Sequence, residues 1–243
     1  MGTKLRLRPL CAFGLQPTLP CGTMSTSQAP AIVIACALEF ERDRLERASL
    51  GNAFEIFCCG PGAKGIGRLV EERAGDARPI VLAGLAGGLV DQVHVGAAYL
   101  VREIRAATGE SLRPTLQLPD ANAKSVSASC PPRTLTTPGA KRAWHAKHRT
   151  ELVDLESEAF ARAMQRSARP WAIVRGVSDG VDDALPDSID SWVDEHGRTR
   201  RGFIALAMLR HPTLVTVAQR LGTHAREAMD AVAEVLRRGA NST

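Results

Sequence analysis

The run Ala31-Ile32-Val33-Ile34-Ala35-Cys36-Ala37 constrains the fold more than any other stretch of this chain. No charged or amide side chain interrupts it, and its β-branched residues favour an extended backbone. Such a run is a strand buried on both faces. Pro79-Ile80-Val81-Leu82-Ala83 repeats the pattern, residues 171–177 repeat it but for Arg175, and Phe54-Glu55-Ile56-Phe57-Cys58-Cys59 reads as a further strand. Segments with helical character lie between them, at residues 39–47, 65–74, 139–149 and 156–166. Strands buried on both faces that alternate with helices predict a three-layer α/β/α sandwich around a mostly parallel, mixed central sheet. Ligands in such sheets sit at the carboxyl ends of the strands.

A fourth strand is expected at residues 97–101, after a turn at Gly96, and Gly84-Leu85-Ala86-Gly87-Gly88 is expected to end the third. Residues 105–138 show little periodicity and read as a long connection with one strand near Ser125–Ser129, a candidate lid or partner contact. Residues 212–238 close the chain as a long amphipathic helix whose apolar face carries Leu214, Val217, Ala218, Leu221, Ala225, Met229, Val232 and Leu236. One domain over residues 31–238 accounts for the chain, whose 243 residues require no second.

Residues 1–30 differ. They hold Lys4, Arg6 and Arg8, no acids and four prolines, and their apolar run is too short for a membrane span or a secretory core. We expect this segment to be disordered or untranslated, with Met24 as an alternative start. The net charge of +5 comes from bases scattered among acids, and aromatics make up only 4% of the chain. Neither feature fits a nucleic-acid surface. The six cysteines show no metal or disulfide spacing. A cytoplasmic protein with no metal, no cofactor and no stable membrane insertion is expected.

The chemistry gathers at two places. Val153-Asp154-Leu155-Glu156-Ser157-Glu158 puts carboxylates at a helix start, and Val174-Arg175-Gly176-Val177-Ser178-Asp179 puts one just past a buried strand. Carboxylates on different elements can converge, one holding a sugar while the other protonates a leaving group. That chemistry suits cleavage of an N-glycosidic bond. Each residue also has a plain structural reading: Asp154 as a helix cap, Glu156 as a first-turn acid, Asp179 as a turn residue and Glu41 as an exposed helix glutamate. The glycines at 84, 87 and 88 allow either a simple turn or close approach of backbone to a flat ligand. Gly60-Pro61-Gly62-Ala63-Lys64-Gly65 matches a dinucleotide motif in letters. It follows the second strand, however, and no acid ends the next one, so a tight strand-to-helix turn is the better reading.

In order along residues 32–236, these segments resemble the purine nucleoside phosphorylase and nucleosidase superfamily. Ala37-Leu38-Glu39-Phe40-Glu41 looks like the acidic turn of methylthioadenosine/S-adenosylhomocysteine nucleosidases. Gly65-Ile66-Gly67-Arg68 looks like the start of their second helix, and Gly84 through Leu89 is similar to their ligand-cradling turn. Val153 through Ser157 resembles their acidic segment, and Arg175 through Asp179 their arginine–serine–aspartate segment. Thr137 through Lys141 and Leu185-Pro186 resemble the hopanoid-associated phosphorylase branch.

The resemblance implies an enzyme that releases the base of an adenosine-like nucleoside by hydrolysis or phosphorolysis. Asp179 would protonate the purine N7, Glu156 would hold ribose hydroxyls, and Glu41 would orient water. Leu155, Ser178, Gly84, Ala86, Gly87 and Arg175 would bind or position the substrate. Asp179 would have to hold its proton, most simply through desolvation. The partners implied are a nucleoside, phosphate if the reaction is phosphorolytic, and further copies of the chain. Leu155 replaces the family's methionine, the phosphate turn of bacterial phosphorylases is missing, and Arg102-Glu103-Ile104-Arg105 replaces a tyrosine–histidine–acid stretch. Glu41 at the water position favours hydrolysis. Two other readings stay open: a non-catalytic nucleoside-binding protein, and an enzyme acting on an adenosylated lipid.

Overall fold

The structure, a computed structural model, describes residues 31–118, 123–210 and 214–241. The expectations for residues 1–30 and for Pro212 lie outside them. In chain order the elements are β1 (Ile32–Cys36), α1 (Glu39–Arg47), β2 (Phe54–Cys58), α2 (Gly62–Glu72), β3 (Ile80–Gly88) and β4 (Ala98–Arg105). They continue with β5 (Ser111–Leu112), β6 (Ser125–Ser129), α3 (Pro138–His148), β7 (Leu152–Val153), α4 (Ser157–Ser167) and β8 (Trp171–Asp179). A short 3-10 helix (Ile189–Trp192), α5 (Arg201–Arg210) and α6 (Leu214–Asn241) complete them.

The expected fold is present. Five of the eight strand pairings are parallel, so the sheet is mixed but mostly parallel. β2, β1, β3 and β8 form the parallel core of the sheet. β8 also pairs antiparallel with β4, β4 runs parallel to β6 and β6 to β7, and β7 pairs antiparallel with β3. These five strands thus close a ring, which returns β7 to the end of β3 and sets Val153 opposite Gly87.

Alternation along the strands sorts the core into two layers. Ile80, Leu82, Ile173 and Val177 pack with Ile66 and Leu69 of α2 and Phe160 and Met164 of α4. Ile34, Val81, Ala83 and Val174 pack on the other face with Leu45 of α1 and Met229, Val232 and Leu236 of α6. The long closing helix is therefore amphipathic for the expected reason.

Three expectations need correction. Gly84 through Gly88 do not form a turn. They are the second half of β3, paired with β8 as far as Gly87↔Asp179. The connection over residues 105–138 holds the expected strand at Ser125–Ser129 as β6 beside β4, but also a strand not expected, β5, which pairs with β4 as a short hairpin. The fourth strand extends to Arg105, not Val101. Helix α5 had no counterpart in the sequence reading. Its interior residues are all apolar or glycine, so no helical period stands out.

Candidate active site

Three elements bring carboxylates to one cavity of about 540 Å³, whose lining includes Glu41, Glu156 and Asp179 together with Leu155, Ser178, Ala86 and Gly87. Glu41 arrives from the first turn of α1 and is 2% exposed. Its Oε2 accepts the N–H groups of Ala37 and Leu38, each at 2.9 Å, and its Oε1 accepts that of Leu85 at 2.8 Å. The backward reach to Leu38 also satisfies an N–H group at the start of α1. A carboxylate offers about four acceptor positions, and the backbone takes three, which leaves one on Oε1. Burial raises the Glu41 pKa, against the lowering pull of Arg175 and of these N–H donors.

Asp154 behaves as the helix-cap reading expected. Its Oδ1 accepts the N–H groups of Glu156 at 2.9 Å and Ser157 at 2.7 Å, and its Oδ2 accepts the Ser157 hydroxyl and Arg175 Nε at 3.0 Å. Burial opposes its charge, but Arg175 and these donors outweigh burial and hold its pKa below the usual value. Glu156, two residues on, is thereby fixed at the start of α4. Its Oε1 accepts the Gly62 N–H at 2.8 Å, and its Oε2 lies 3.4 Å from Arg175 Nη2. Burial, with Asp154 and Glu41 close by, overrides Arg175 and raises Glu156 to about 7.

The glycine motif at 60–65 is thus a strand-to-helix turn whose backbone holds a carboxylate. A Cβ at Gly65 would fall 1.8 Å from the Gly60 carbonyl oxygen, so the turn closes only with glycine there.

Arg175 and Gly84 stand behind the cavity wall and not among its lining residues. Arg175 is fully buried and serves Asp154 and Glu156. A Cβ on Gly84 would sit 2.7 Å from Glu41 Oε1 and 2.9 Å from Arg175 Nη1, so this glycine makes room for protein side chains, not for a flat ligand. Both residues contact the buried carboxylates of the site from behind its lining.

Asp179 reaches the cavity through a bulge. Ala86 pairs with Val177 and Gly87 with Asp179, which leaves Ser178 as the extra residue on β8. A bulge re-aims the side chain that follows it. Ser178 Oγ donates to Asp179 Oδ1 at 2.7 Å.

Asp179 has a charged neighbour that the sequence reading did not place there: Lys141 Nζ lies 2.5 Å from its Oδ2. Lys141 is fully buried, and its other two protons go to the carbonyls of Gly180 at 2.7 Å and Asp183 at 3.0 Å. It comes from the first turn of α3, whose start is set by Thr137 accepting the Ala140 N–H at 3.2 Å. Sequence reasoning had Lys141 only as part of a family resemblance. The threonine–proline helix start just before it was the usable signal.

The cavity is also lined by Leu185, Ile189, Trp192, Val193, Ile204 and Leu221, contributed by the 3-10 helix region, α5 and α6, with Asp190 and Thr199 beside them in the chain.

This architecture is the nucleoside phosphorylase and nucleosidase fold. No protein-family model and no curated protein sequence matches the chain. Among solved structures it is similar to the futalosine hydrolase of Helicobacter pylori, with a TM-score of 0.66 and 11% identity over 88% of this chain and 99% of that one. It is also similar to Arabidopsis thaliana 5'-methylthioadenosine nucleosidase, with a TM-score of 0.63 and 14% identity over 88% and 96%. A methylthioadenosine/S-adenosylhomocysteine nucleosidase from Colwellia psychrerythraea, solved with adenine, gives a TM-score of 0.59 and 16% identity over 88% and 96%.

Proposed function

We propose that this protein hydrolyses the N-glycosidic bond of an adenosine-like purine nucleoside, releasing the free base and the sugar. The observation that carries this reading is the convergence of Glu41, Glu156 and Asp179, from three separate elements, on one cavity whose remaining lining is largely apolar. The fold shared with nucleosidases supports it.

In the reaction the C1'–N9 bond breaks with its electron pair going to the base, and the sugar gains oxocarbenium character. Glu156, with acceptor capacity left beyond Gly62 and Arg175, holds the ribose hydroxyls and stabilises that charge. The free acceptor position on Glu41 orients the water that attacks C1'. The leaving base takes a proton at N7 from Asp179, and the proton released by the attacking water restores Asp179. The proton lost by the attacking water balances the one gained by the base.

Water fits this cavity better than phosphate. Lys141 is its one cationic lining residue among the described residues, and its three protons are already committed, whereas Glu41, Asp154, Glu156, Asp179 and Asp190 all line the same space. An entering phosphate dianion would meet carboxylates with no free cation to offset them.

The many apolar lining residues, Leu185, Ile189, Trp192, Val193, Ile204 and Leu221 among them, favour a substrate whose 5' substituent is large and apolar, an adenosylated lipid of the kind implied by the hopanoid-associated branch. The resemblance further suggests a cytoplasmic homo-oligomer with residues 105–138 near the neighbouring copy, which light scattering of the purified protein tests.

The deciding experiment is chromatographic detection of adenine after incubation with methylthioadenosine and with a long-chain 5'-alkylthio analogue, each with and without phosphate. Release without phosphate, abolished in Asp179→Asn, is expected. Release that requires phosphate would overturn the hydrolytic reading, and tight binding with no release from either substrate would make the chain a nucleoside-binding protein.

A further inference from the structure

Five large apolar side chains are strongly exposed among the described residues, and four of them form one region: Phe203, Leu206 and Leu209 on α5 and Val215 at the start of α6. Leu209 is 79% exposed and Leu206 44%. Helix α5 reads Arg-Gly-Phe-Ile-Ala-Leu-Ala-Met-Leu-Arg, with no polar side chain between its two end arginines. A helix that is apolar all round belongs in a protein core or in contact with lipid. Spacing of three residues puts Phe203, Leu206 and Leu209 along one outward stripe. On the inner side Ile204 lines the cavity.

The charge around this face is one-sided. Residues 196–226 contain no Asp or Glu but carry Arg198, Arg200, Arg201, Arg210, Arg220 and Arg226. Arg198 and Arg220 face carboxylates at 3.5 and 3.4 Å, and Arg200 lies over the Phe203 ring at 5.3 Å. Arg201 and Arg210, at the two ends of the helix, form no ion pair among the described residues.

We propose that the outer face of α5 and the start of α6 docks reversibly on an anionic lipid bilayer. The apolar stripe enters the boundary between headgroups and acyl chains, and the flanking arginines meet lipid phosphates. A second copy of the chain is the poorer occupant. A two-fold axis would set the same patch against itself, arginine facing arginine, with no acid in the segment to offset them. This docking stands independently of the reaction assigned to the cavity.

Co-sedimentation of the full chain with phosphatidylcholine vesicles, with and without phosphatidylglycerol, tests the proposal. Binding should favour the anionic vesicles by at least about tenfold and fall away in high salt. The double substitution Leu206→Glu/Leu209→Glu should cut binding by about tenfold or more, while adenine release from a short, soluble nucleoside stays unchanged. Equal binding to both vesicle types, no binding to either, or undiminished binding by the double variant would each overturn the proposal. So would light scattering that shows a stable dimer dissolved by the same two substitutions, which would assign the face to a second copy.

Discussion

Glu156→Gln should change the pH dependence of stability more than stability itself. The folded protein releases the Glu156 proton at about 7, whereas an unperturbed glutamate releases it at 4.5. Between those values the native state binds a proton that the unfolded state has already lost, so wild-type stability falls as pH rises through the window. A difference of about 2.5 units at about 1.4 kcal/mol each corresponds to roughly 3 kcal/mol lost by neutral pH. The variant has nothing to ionise. Its amide oxygen can keep the Gly62 N–H bond, and its amide nitrogen, facing Arg175 at the position of Oε2, brings a loss that does not vary with pH. That constant drops out of the comparison between two pH values.

Urea unfolding followed by fluorescence, to which the buried Trp171 contributes, measures the quantity. The stability of the variant minus that of the wild type should rise by about 3 kcal/mol from pH 4.5 to pH 8, while activity falls by roughly two to three orders of magnitude. Parallel stability curves for the two proteins would refute the claim that burial beside Asp154 and Glu41 raises the Glu156 pKa.

Other substitutions should act on stability through the buried ion pairs. Lys141→Met leaves Asp179 and two backbone carbonyls without their donor and should cost about 3–5 kcal/mol, part of which returns in the Lys141→Met/Asp179→Asn double variant. Strict additivity in that urea-unfolding cycle would mean that the two groups do not interact. Arg175→Met removes the cation shared by Asp154 and Glu156 and felt by Glu41, and it should cost a similar amount at pH 7 but clearly less at pH 4. A denaturation midpoint within the experimental scatter of the wild type would show that the three carboxylates do not depend on it.

Much of the architecture was written in local pattern. β1 and β3 are uninterrupted apolar runs, and β8 is one broken only by Arg175 before its Ser178-Asp179 end, which is the mark of strands buried on both faces. α3, α4 and α6 were found within a few residues because capping residues and an apolar stripe mark them independently of their surroundings. Glu41, Glu156 and Asp179 were legible as carboxylates at element ends, where an α/β sheet places its ligand site. Helix α5 was not legible, since a segment apolar on every side carries no period.

Tertiary structure alone decided the rest. The sequence determined that three carboxylates would lie at the ends of elements. Only closure of the strand ring, with Gly87 opposite Val153, decided that they meet. The extra residue at Ser178 turns Asp179 into the cavity. Lys141 reaches Asp179 from 38 residues away, and Arg175 sits behind the wall with room made by Gly84. Local pattern reports what one segment prefers by itself. Which charge faces which across the core depends on pairings between segments far apart in the chain, and those exist only once the sheet has formed.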